Sequence, residues 1–387
     1  MNILKPVFYD GFSCIGSDCL FTCCGGWCIT VDEKTLKKYR KMGGEIARFA
    51  RHGVFYNQNS HRNEVKMKKD RRCCPMLNEN QLCRVVLENG PEEQADLCRV
   101  YPRRKVISFD TEELHLSMGC PQVVHLLFQI DKKLTFVFEP DASMQTSNLP
   151  VYNKKLYVNL KMRDSIADFI QKSPLPLWFR EFYGAYVIQK MLPEIQADDF
   201  DALVKNTEHF LNPSFCQEFY QRTKELTTDR EQQFQVLREI IIKIDYRVCR
   251  LLFWDRNEYS AQVLELLNYN KECSFDQWNH AREKWEKERN LLHQENMLVY
   301  NWISRAFVIQ QEDRLLKNYI ACVLINLLVN HFLILYSINS PATEQIEIVI
   351  TALMARVVQN GDLVDFLQQE MENGVLSPAF LLRLCNI

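Results

Sequence analysis

The sequence contains few glycines and lacks the glycine pattern that binds dinucleotides. Its 387 residues include 12 glycines, and no two of these are separated by a single residue, so a Gly-x-Gly turn is absent. No regular alternation of predicted strands and helices indicates a parallel sheet either. These absences exclude the common Rossmann-type site, so any nucleotide-derived cofactor is expected to be held by another architecture.

The sequence also lacks a long uninterrupted apolar run and a strong charge of either sign. Its N-terminus, MNILKPVFYD, has no apolar stretch after the lysine, which argues against a signal peptide. The most apolar segment, 319–338, is interrupted by Asn326, Asn330 and His331, which favours a buried core helix over a membrane span. A net charge of −2 provides no general attraction for nucleic acid. We therefore expect a cytoplasmic protein without a membrane span or a nucleic-acid partner.

Cysteine, by contrast, is abundant and unevenly distributed. Ten of the 15 cysteines lie in the first 120 residues. In a chain without an export signal such clustering indicates metal binding, because disulfides are rare in a reducing compartment. The other five stand singly in helical, mostly apolar surroundings, where buried structural thiols are expected. We therefore expect the chemistry of the protein in its N-terminal third.

The spacing of the cysteines bears on the metal that they bind. Structural zinc sites usually contain two Cys-x-x-Cys knuckles, and this sequence contains none. The first five cysteines follow the pattern C-x4-C-x3-C-C-x3-C, which suits wrapping around an object larger than one ion. A 4Fe-4S cluster needs four thiolates and occurs with varied spacings. Iron–sulfur is therefore favoured, and zinc stays open as the alternative metal.

Helix and strand signals divide the chain at about residue 145. Many glycines and cysteines predict a small domain over 1–145 that is organised by its metal. Two short strands around the turn 110–113 predict a β-hairpin that leads into Gly119-Cys120-Pro121. Strong helix formers then predict an all-α domain over 146–387. The predicted fold class is mainly α: a cysteine-rich metal-binding N-terminal domain with a small β-hairpin, then an all-α helical domain.

Local signals place several individual helices. Asp32 is expected to cap a helix that begins at the next residue. Apolar spacing predicts a helix over 157–171 and a buried helix over 237–254, and a high charge content predicts a surface helix over 281–294. Ser340, which is followed by proline, predicts a further helix start.

A second cysteine block completes a pattern that resembles a known family. The segments 74–77 (CPML), 98–103 (CRVYPR) and 118–121 (MGCP) follow the first cysteine cluster. The order of these motifs resembles the CxxCxxCC family of zinc- or iron-chelating proteins and, more narrowly, the FliB-type flagellin lysine-N-methylases. Two departures stand out: the first cysteine gap is wider than in the broad family, and Gln122 follows the last Cys-Pro where relatives often have an acidic residue.

The resemblance implies an activity, its cofactors and its substrate. The activity would be N-methylation of surface lysine side chains of flagellin, with S-adenosylmethionine as the methyl donor. The cysteines would hold an iron–sulfur cluster of the 4Fe-4S type. The candidate ligands are Cys14, Cys19, Cys23, Cys24, Cys74, Cys83, Cys98 and Cys120.

The implied reaction also needs a base and a binding site for the donor. A lysine amine has a pKa of about 10.4 and must lose a proton before it attacks a methyl group. Asp18 and Tyr101 are the candidate catalytic residues near the cysteine motifs. Arg99 and Arg103 are candidates for the donor carboxylate, and Trp27 for stacking on its adenine. Each of these side chains has a structural alternative, namely core packing or ion pairing.

Two other classes of function fit the same residues. A non-catalytic, zinc-stabilised interaction module would be colourless and hold zinc tightly. An iron–sulfur redox or metal-delivery protein would be reduced reversibly without methyl transfer. The sequence leaves open which four cysteines bind a cluster, whether a second metal site exists, and the oligomeric state.

Overall fold

Helices account for most of the described chain in this computed structural model. The described residues are 2–20, 22–25, 28–67, 73–140, 154–197, 199–224, 229–252, 258–305, 315–359 and 378–385. Within them the mainly α fold class is confirmed.

The elements follow one another in two groups along the chain. The strands are β1 (Asn2–Pro6), β2 (Val54–Asn57), β3 (Arg62–Val65), β4 (Arg103–Ser108), β5 (Thr111–Leu116) and β6 (Phe136–Pro140). The helices of the N-terminal group are α1 (Glu33–Lys41), α2 (Gly44–His52), α3 (Arg84–Asn89), α4 (Asp96–Val100) and α5 (Pro121–Phe128). The later helices are α6 (Lys154–Lys172), α7 (Leu177–Gln196), α8 (Phe200–Phe210), α9 (Pro213–Thr223), α10 (Arg230–Leu252), α11 (Glu258–Glu272), α12 (Phe275–Glu288), α13 (Leu291–Ser304), α14 (Leu315–Ser337), α15 (Glu344–Gln359) and α16 (Pro378–Cys385).

The predicted hairpin forms part of a four-stranded sheet with the order β4-β5-β1-β6. Strands β4 and β5 are antiparallel, and Ser108 lies opposite Thr111, so the turn is tighter than predicted. Strand β1 pairs in parallel with β5, with Asn2 opposite Thr111, and antiparallel with β6. A separate antiparallel pair is formed by β2 and β3. The hairpin therefore forms one side of the sheet, with β4 at the edge and β5 inside it.

The described residues form one large and one small hydrophobic core, and a third cluster of Cys73 and Leu77 packs against Cys24. The large core combines the helices with the sheet region, since Phe8, Leu116 and Cys120 belong to the same cluster as Trp302 and Tyr319. The small core is built by residues between 29 and 98, and three partly buried cysteines pack against it. These cysteines are Cys74, Cys83 and Cys98. The small core therefore positions part of the predicted ligand set.

The sheet is fastened to the helices by buried polar contacts. Glu113 of β5 accepts a hydrogen bond from Nη1 of Arg163 in α6 at 2.7 Å, and both side chains are buried. Tyr300 of α13 accepts from the Leu116 amide and donates to the Leu116 carbonyl, each at 2.7 Å. Because β5 leads directly to Cys120, these contacts fix that cysteine relative to the helices.

Helix α14 confirms the prediction of a buried core helix. Within the described part of the chain it is the one helix long and apolar enough to cross a bilayer, and 89% of its apolar window is buried inside the protein. Asn326 and His331 are fully buried and hydrogen-bonded to Glu181 and Asn270, respectively. Gly184 of α7 allows α7 and α14 to approach closely, because a Cβ at this position would overlap with the hydroxyl of Tyr319 in α14.

Two further local predictions are confirmed. The Asp32 carboxylate accepts a hydrogen bond from the Thr35 amide at 2.8 Å and caps α1. The helix predicted over 157–171 is α6, which ends before the two prolines that were expected to stop it.

Three local predictions need correction. The buried helix expected over 237–254 is α10, which begins at Arg230 and carries the largely exposed Tyr246. The surface helix expected over 281–294 is interrupted, because α12 ends at Glu288 and Asn290 caps α13. The predicted Ser340 cap is wrong: α15 begins at Glu344, and the Thr343 hydroxyl accepts from the Ile346 amide at 3.3 Å.

Candidate functional site

A cavity of about 550 Å³ lies where the first cysteine cluster, the second cysteine block and the end of the hairpin meet. We call it the cysteine cavity. Its cysteine lining comprises Cys14, Cys19, Cys23, Cys24, Cys83, Cys98 and Cys120. Seven of the eight cysteines predicted as metal ligands therefore face one space, although they are distributed over more than 100 residues of sequence.

Short helices place three of these cysteines. Cys83 and Cys120 each immediately precede a helix, α3 and α5, and Cys98 lies within α4. The Cys120 amide donates to the Ser117 carbonyl at 3.0 Å, and Pro121 occupies the first helical position. Proline is well suited to that position because the first helical N–H lacks an intrahelical partner anyway.

The eighth predicted ligand, Cys74, lies beside the cavity. Its amide donates to the Cys24 carbonyl at 2.8 Å, and Gly25 and Cys73 form an antiparallel bridge next to it. A second bridge joins Leu77 to Cys83. These bridges bring the two cysteine blocks into contact, and Cys74 interacts electrostatically with Cys24.

The thiols influence one another's ionisation. A side-chain hydrogen bond from Cys24 lowers the pKa of Cys23 to about 7 against the effect of burial, and it raises the pKa of Cys24. Burial and the neighbouring thiolates of Cys74, Cys23 and Cys83 raise the pKa of Cys98 to about 12. Burial also raises the pKa of Cys120 to about 12. Several thiolates can therefore coexist here only when a positive charge lies among them, which a bound metal provides.

The donor set suits either a zinc ion or an iron–sulfur cluster in its chemistry. Thiolate sulfur is a preferred ligand of both. A structural zinc ion takes four ligands, and a 4Fe-4S cluster takes four thiolates. The seven thiols that line the cavity are enough for either group. Across the described segments, no three His, Cys, Asp or Glu side chains already stand close enough to hold one ion.

An arginine that sequence reasoning missed connects the cysteine loops to the helices. Arg356 of α15 lines the cavity, and its Nε donates to the Gly119 carbonyl at 2.6 Å. Its Nη1 donates to the Thr22 carbonyl at 3.0 Å. One guanidinium thus holds the backbone next to Cys23 and next to Cys120. The available signal was an arginine in the last turn of a helix that is apolar around it, in the segment 352–358 (ALMARVV).

The three predicted residues of the CRVYPR motif also line the cavity. Burial raises the pKa of Tyr101 well above its usual value, so its phenol is protonated at neutral pH. Arg103 donates from Nη2 to the Phe12 carbonyl at 3.1 Å and lies over the Phe12 ring. Arg99 is half-exposed and forms an ion pair with Asp96.

The remaining predicted residues are not brought into the cavity. Asp18 ends a short 3-10 turn, is exposed, and does not line the described part of the cavity. Trp27 lies outside the described residues. Among the described lining residues, Glu92 is the one carboxylate. It was not singled out from the sequence, because nothing in the segment around it resembles a catalytic motif.

Comparison with known proteins identifies the family. A profile described as FliB lysine N-methylase C-terminal domain matches residues 163–384, which is more than half of the chain. The flagellar biosynthetic protein FliU of Salmonella muenchen is 34% identical over 126 residues, which cover 32% of this chain and 75% of that protein. Lysine-N-methylases of Salmonella typhimurium and Salmonella choleraesuis show the same identity over 126 residues, and the match spans 31% of their length. No solved structure matches. The chain belongs to the FliB lysine N-methylase family.

Proposed function

We propose that the chain methylates surface lysines of flagellin in the cytoplasm, with S-adenosylmethionine as the methyl donor and a 4Fe-4S cluster in the cysteine cavity. The observation that carries this proposal is the convergence of seven cysteines on a cavity completed by Arg356, which lies in the segment that matches the methylase family. Lysine methylation is supported by the names of the relatives. Flagellin as the acceptor is supported by the resemblance of the cysteine motifs and by the flagellar relative.

The thiols that interact with one another are the candidates to hold the cluster. Cys23, Cys24, Cys74 and Cys98 form a connected group, which Cys83 joins through Cys98 and Cys120 joins through Cys23. Such a cluster supplies a Lewis-acidic iron that can bind the amino and carboxylate groups of the donor. Arg356 lies beside Cys23 and favours its thiolate.

The cavity has room and polar groups for a small molecule beside the thiols. Ligand sites typically measure about 300–1,000 Å³, and this cavity measures about 550 Å³. The half-exposed Arg99 is the cation best placed to pair with a carboxylate, because Arg103 and Arg356 already donate to backbone carbonyls. The protonated Tyr101 can orient a ligand as a hydrogen-bond donor.

The proton of the acceptor lysine is best taken by a carboxylate. Tyr101 keeps its own proton at neutral pH, and Asp18 does not line the described cavity. Glu92 lines the cavity and is exposed, so it can meet an incoming ammonium group. We therefore place the base or ammonium-binding role on Glu92, with an expected loss of methyl transfer of about 100-fold in Glu92→Gln.

The direct test is an anaerobic assay with purified flagellin and S-adenosylmethionine. Mass spectrometry of tryptic peptides is expected to show methyl groups on lysines, and omission of the donor is expected to abolish them. Cys98→Ser should lose the activity, whereas Cys249→Ser, on the helical side and outside the described cavity lining, should keep it. Full methylation by an iron-free preparation would overturn the role of the cluster.

A further inference from the structure

Two smaller cavities continue the cysteine cavity along the surface between α5 and α15. The first, of about 260 Å³, shares Ile15, Pro121 and Gln122 with the cysteine cavity. The second, of about 350 Å³, shares Glu344 with the first. The three cavities therefore form one depression that we call the α5–α15 groove. One end of the groove holds the thiols, and the other end lies beside α12 and α13.

The far end of the groove carries a cluster of acidic side chains. Glu288, Glu344 and Glu347 line it together. Arg289 lines it as well, but its guanidinium interacts with the buried Glu181. The far end therefore presents more negative than positive charge to a ligand.

Helix stability explains two of these acids but not the third. Glu344 and Glu347 lie in the first turn of α15, where a negative charge stabilises the helix dipole. Glu288 is the last residue of α12, where a negative charge is unfavourable for its own helix. The acids thus meet from two helices, and one of them does so at a cost to its helix. A cationic ligand provides a reason for that placement.

Neighbouring side chains orient one of the acids and lie near a second. Gln129 donates from Nε2 to the Glu344 carboxylate at 3.1 Å, and His125 Nδ1 lies 3.4 Å from the same oxygen. His293 stacks on Phe128 with ring centroids 4.2 Å apart, and its Nδ1 lies 3.7 Å from Glu347, beyond hydrogen-bond distance. Glu344 is therefore oriented before a ligand arrives.

The same end contains a buried hydrogen-bond donor that needs an acceptor. Trp285 of α12 lines it and is more than nine-tenths buried. Its indole Nε1 has no hydrogen-bond partner among the described residues. A buried donor without a partner costs free energy, and a small rotation of the indole towards the groove would let a ligand carbonyl recover it. A carbonyl beside a cationic side chain is what a lysine- or arginine-containing peptide offers.

We propose that the α5–α15 groove binds a polypeptide segment of the methyl-accepting protein. Its acceptor lysine would enter the cysteine cavity, and a second basic side chain would lie against Glu288, Glu344 and Glu347. This inference rests on the proposed function. From Cys120 to Phe128 the backbone of α5 rises about 12 Å at 1.5 Å per residue. An extended peptide covers that distance in about four residues. The second basic residue is therefore expected about four residues from the acceptor.

The test uses two fluorescent peptides and the full-length protein. Both peptides carry one acceptor lysine, and the residue four positions away is lysine in one and alanine in the other. Fluorescence anisotropy at low salt is expected to show tighter binding of the first peptide. The variant E288Q/E344Q/E347Q keeps side-chain volume and is expected to lose that preference, with about tenfold weaker binding. Glu265→Gln, an exposed helical position in another cavity, is the matched control and should bind normally.

The outcomes separate the groove from the proposed function. Equal affinity of the native protein and the triple variant for the lysine peptide would overturn the groove proposal, even if both proteins methylate it. Charge-dependent binding without methyl transfer would support the groove and contradict the proposed function. In an active enzyme the triple variant should raise KM and leave kcat nearly unchanged, because the acids lie at the far end of the groove from the thiols.

Discussion

The cysteine-rich segment and the helical segment are stabilised in different ways. The helical segment surrounds α14 on all sides and buries large side chains such as Trp302 and Tyr319 completely. The cysteine-rich segment has a small core, and its helices α3 and α4 contain six and five residues. Helices of that length are not stable by themselves. We therefore expect the helical part to supply its own stability and the cysteine part to depend on the group that we propose it binds.

The two regions are nevertheless joined at the site. Cys120 belongs to the large core, while Cys74, Cys83 and Cys98 pack on the small core. Arg356 bridges the loops next to Cys23 and Cys120. A group bound by cysteines of both cores would therefore lock the small region onto the large one. Substitutions in each region should therefore show how far the stability of one region depends on the other.

The largest effect is expected from Cys98→Ser. Loss of a metal-orienting side chain near a site already costs about 10–100-fold, so loss of a direct ligand should cost more. We expect iron content and methyl transfer to fall by at least about 100-fold, with helix content nearly unchanged by circular dichroism. Limited proteolysis should then cut within the cysteine-rich segment first. Normal iron content in this variant would remove Cys98 from the ligand set.

A substitution that opens a cavity in the large core should lower stability and leave iron binding unchanged, which is the opposite of the effect of Cys98→Ser. Leu328 of α14 is completely buried, and Leu328→Ala is expected to lower the free energy of unfolding by about 2–5 kcal/mol. The bound iron per folded molecule should stay the same, because Leu328 is not among the described residues that line the cysteine cavity. Denaturant titration and iron analysis check the two halves of this prediction. Loss of iron in the folded variant would show that the regions are not separable.

Acid should weaken the helical core through His331. Burial lowers the pKa of this histidine to about 3, and its Nε2 lies 2.9 Å from Asn270 Oδ1. The unfolded chain binds the proton near pH 6.5 and the folded chain does not, so stability falls as pH drops from 6.5 towards 3. The loss is up to about 1.4 kcal/mol per pH unit, or about 2 kcal/mol at pH 5. Urea titrations at several pH values give the free energy of unfolding as a function of pH. Between pH 6.5 and 3 its slope should be smaller by one proton in His331→Gln, and an unchanged slope would contradict this.

The smallest effect is expected from substituting Arg356, which connects the cysteine loops to the helices. Arg356→Gln removes the bridge between the Thr22 and Gly119 carbonyls. In the metal-free protein, amide exchange in the loops around Cys23 and Cys120 should accelerate about tenfold, since one charged hydrogen bond contributes about 1.5–3 kcal/mol. Arg356→Lys keeps the positive charge but cannot donate from two separate nitrogens, so its exchange rates should lie between those of the native protein and Arg356→Gln. Unchanged exchange in both variants would show that Arg356 does not hold the loops.

The sequence predicted the convergence of the cysteines better than the helix ends around them. Cysteine clustering was enough for that prediction, because thiols that share one bound group must meet whatever the path of the chain between them. Local caps such as Asp32 were also predictable, since they depend on contacts three residues apart. The Ser340 prediction failed because two residues could start the same helix, and Thr343 caps it instead.

Long-range pairings could not be predicted from the sequence. Strand β1 pairs with β5 across more than 100 residues, and nothing in its five residues specifies a partner. Arg356 contacts Gly119 across 237 residues, and its role depends on how α15 packs on the cysteine loops. The role proposed for Glu92 could not be predicted either, because only its place in the folded cavity distinguishes it from other surface acids.

The most direct measurement is the absorption spectrum of anaerobically purified protein, with iron, sulfide and zinc analysis. A brown protein with a broad band near ~400 nm and about four irons and four sulfides per chain is the predicted result. Loss of that band in Cys98→Ser, but not in Cys249→Ser, would place the cluster in the cysteine cavity. A colourless protein that holds zinc and no sulfide would contradict the iron–sulfur site and make the cysteines structural ligands.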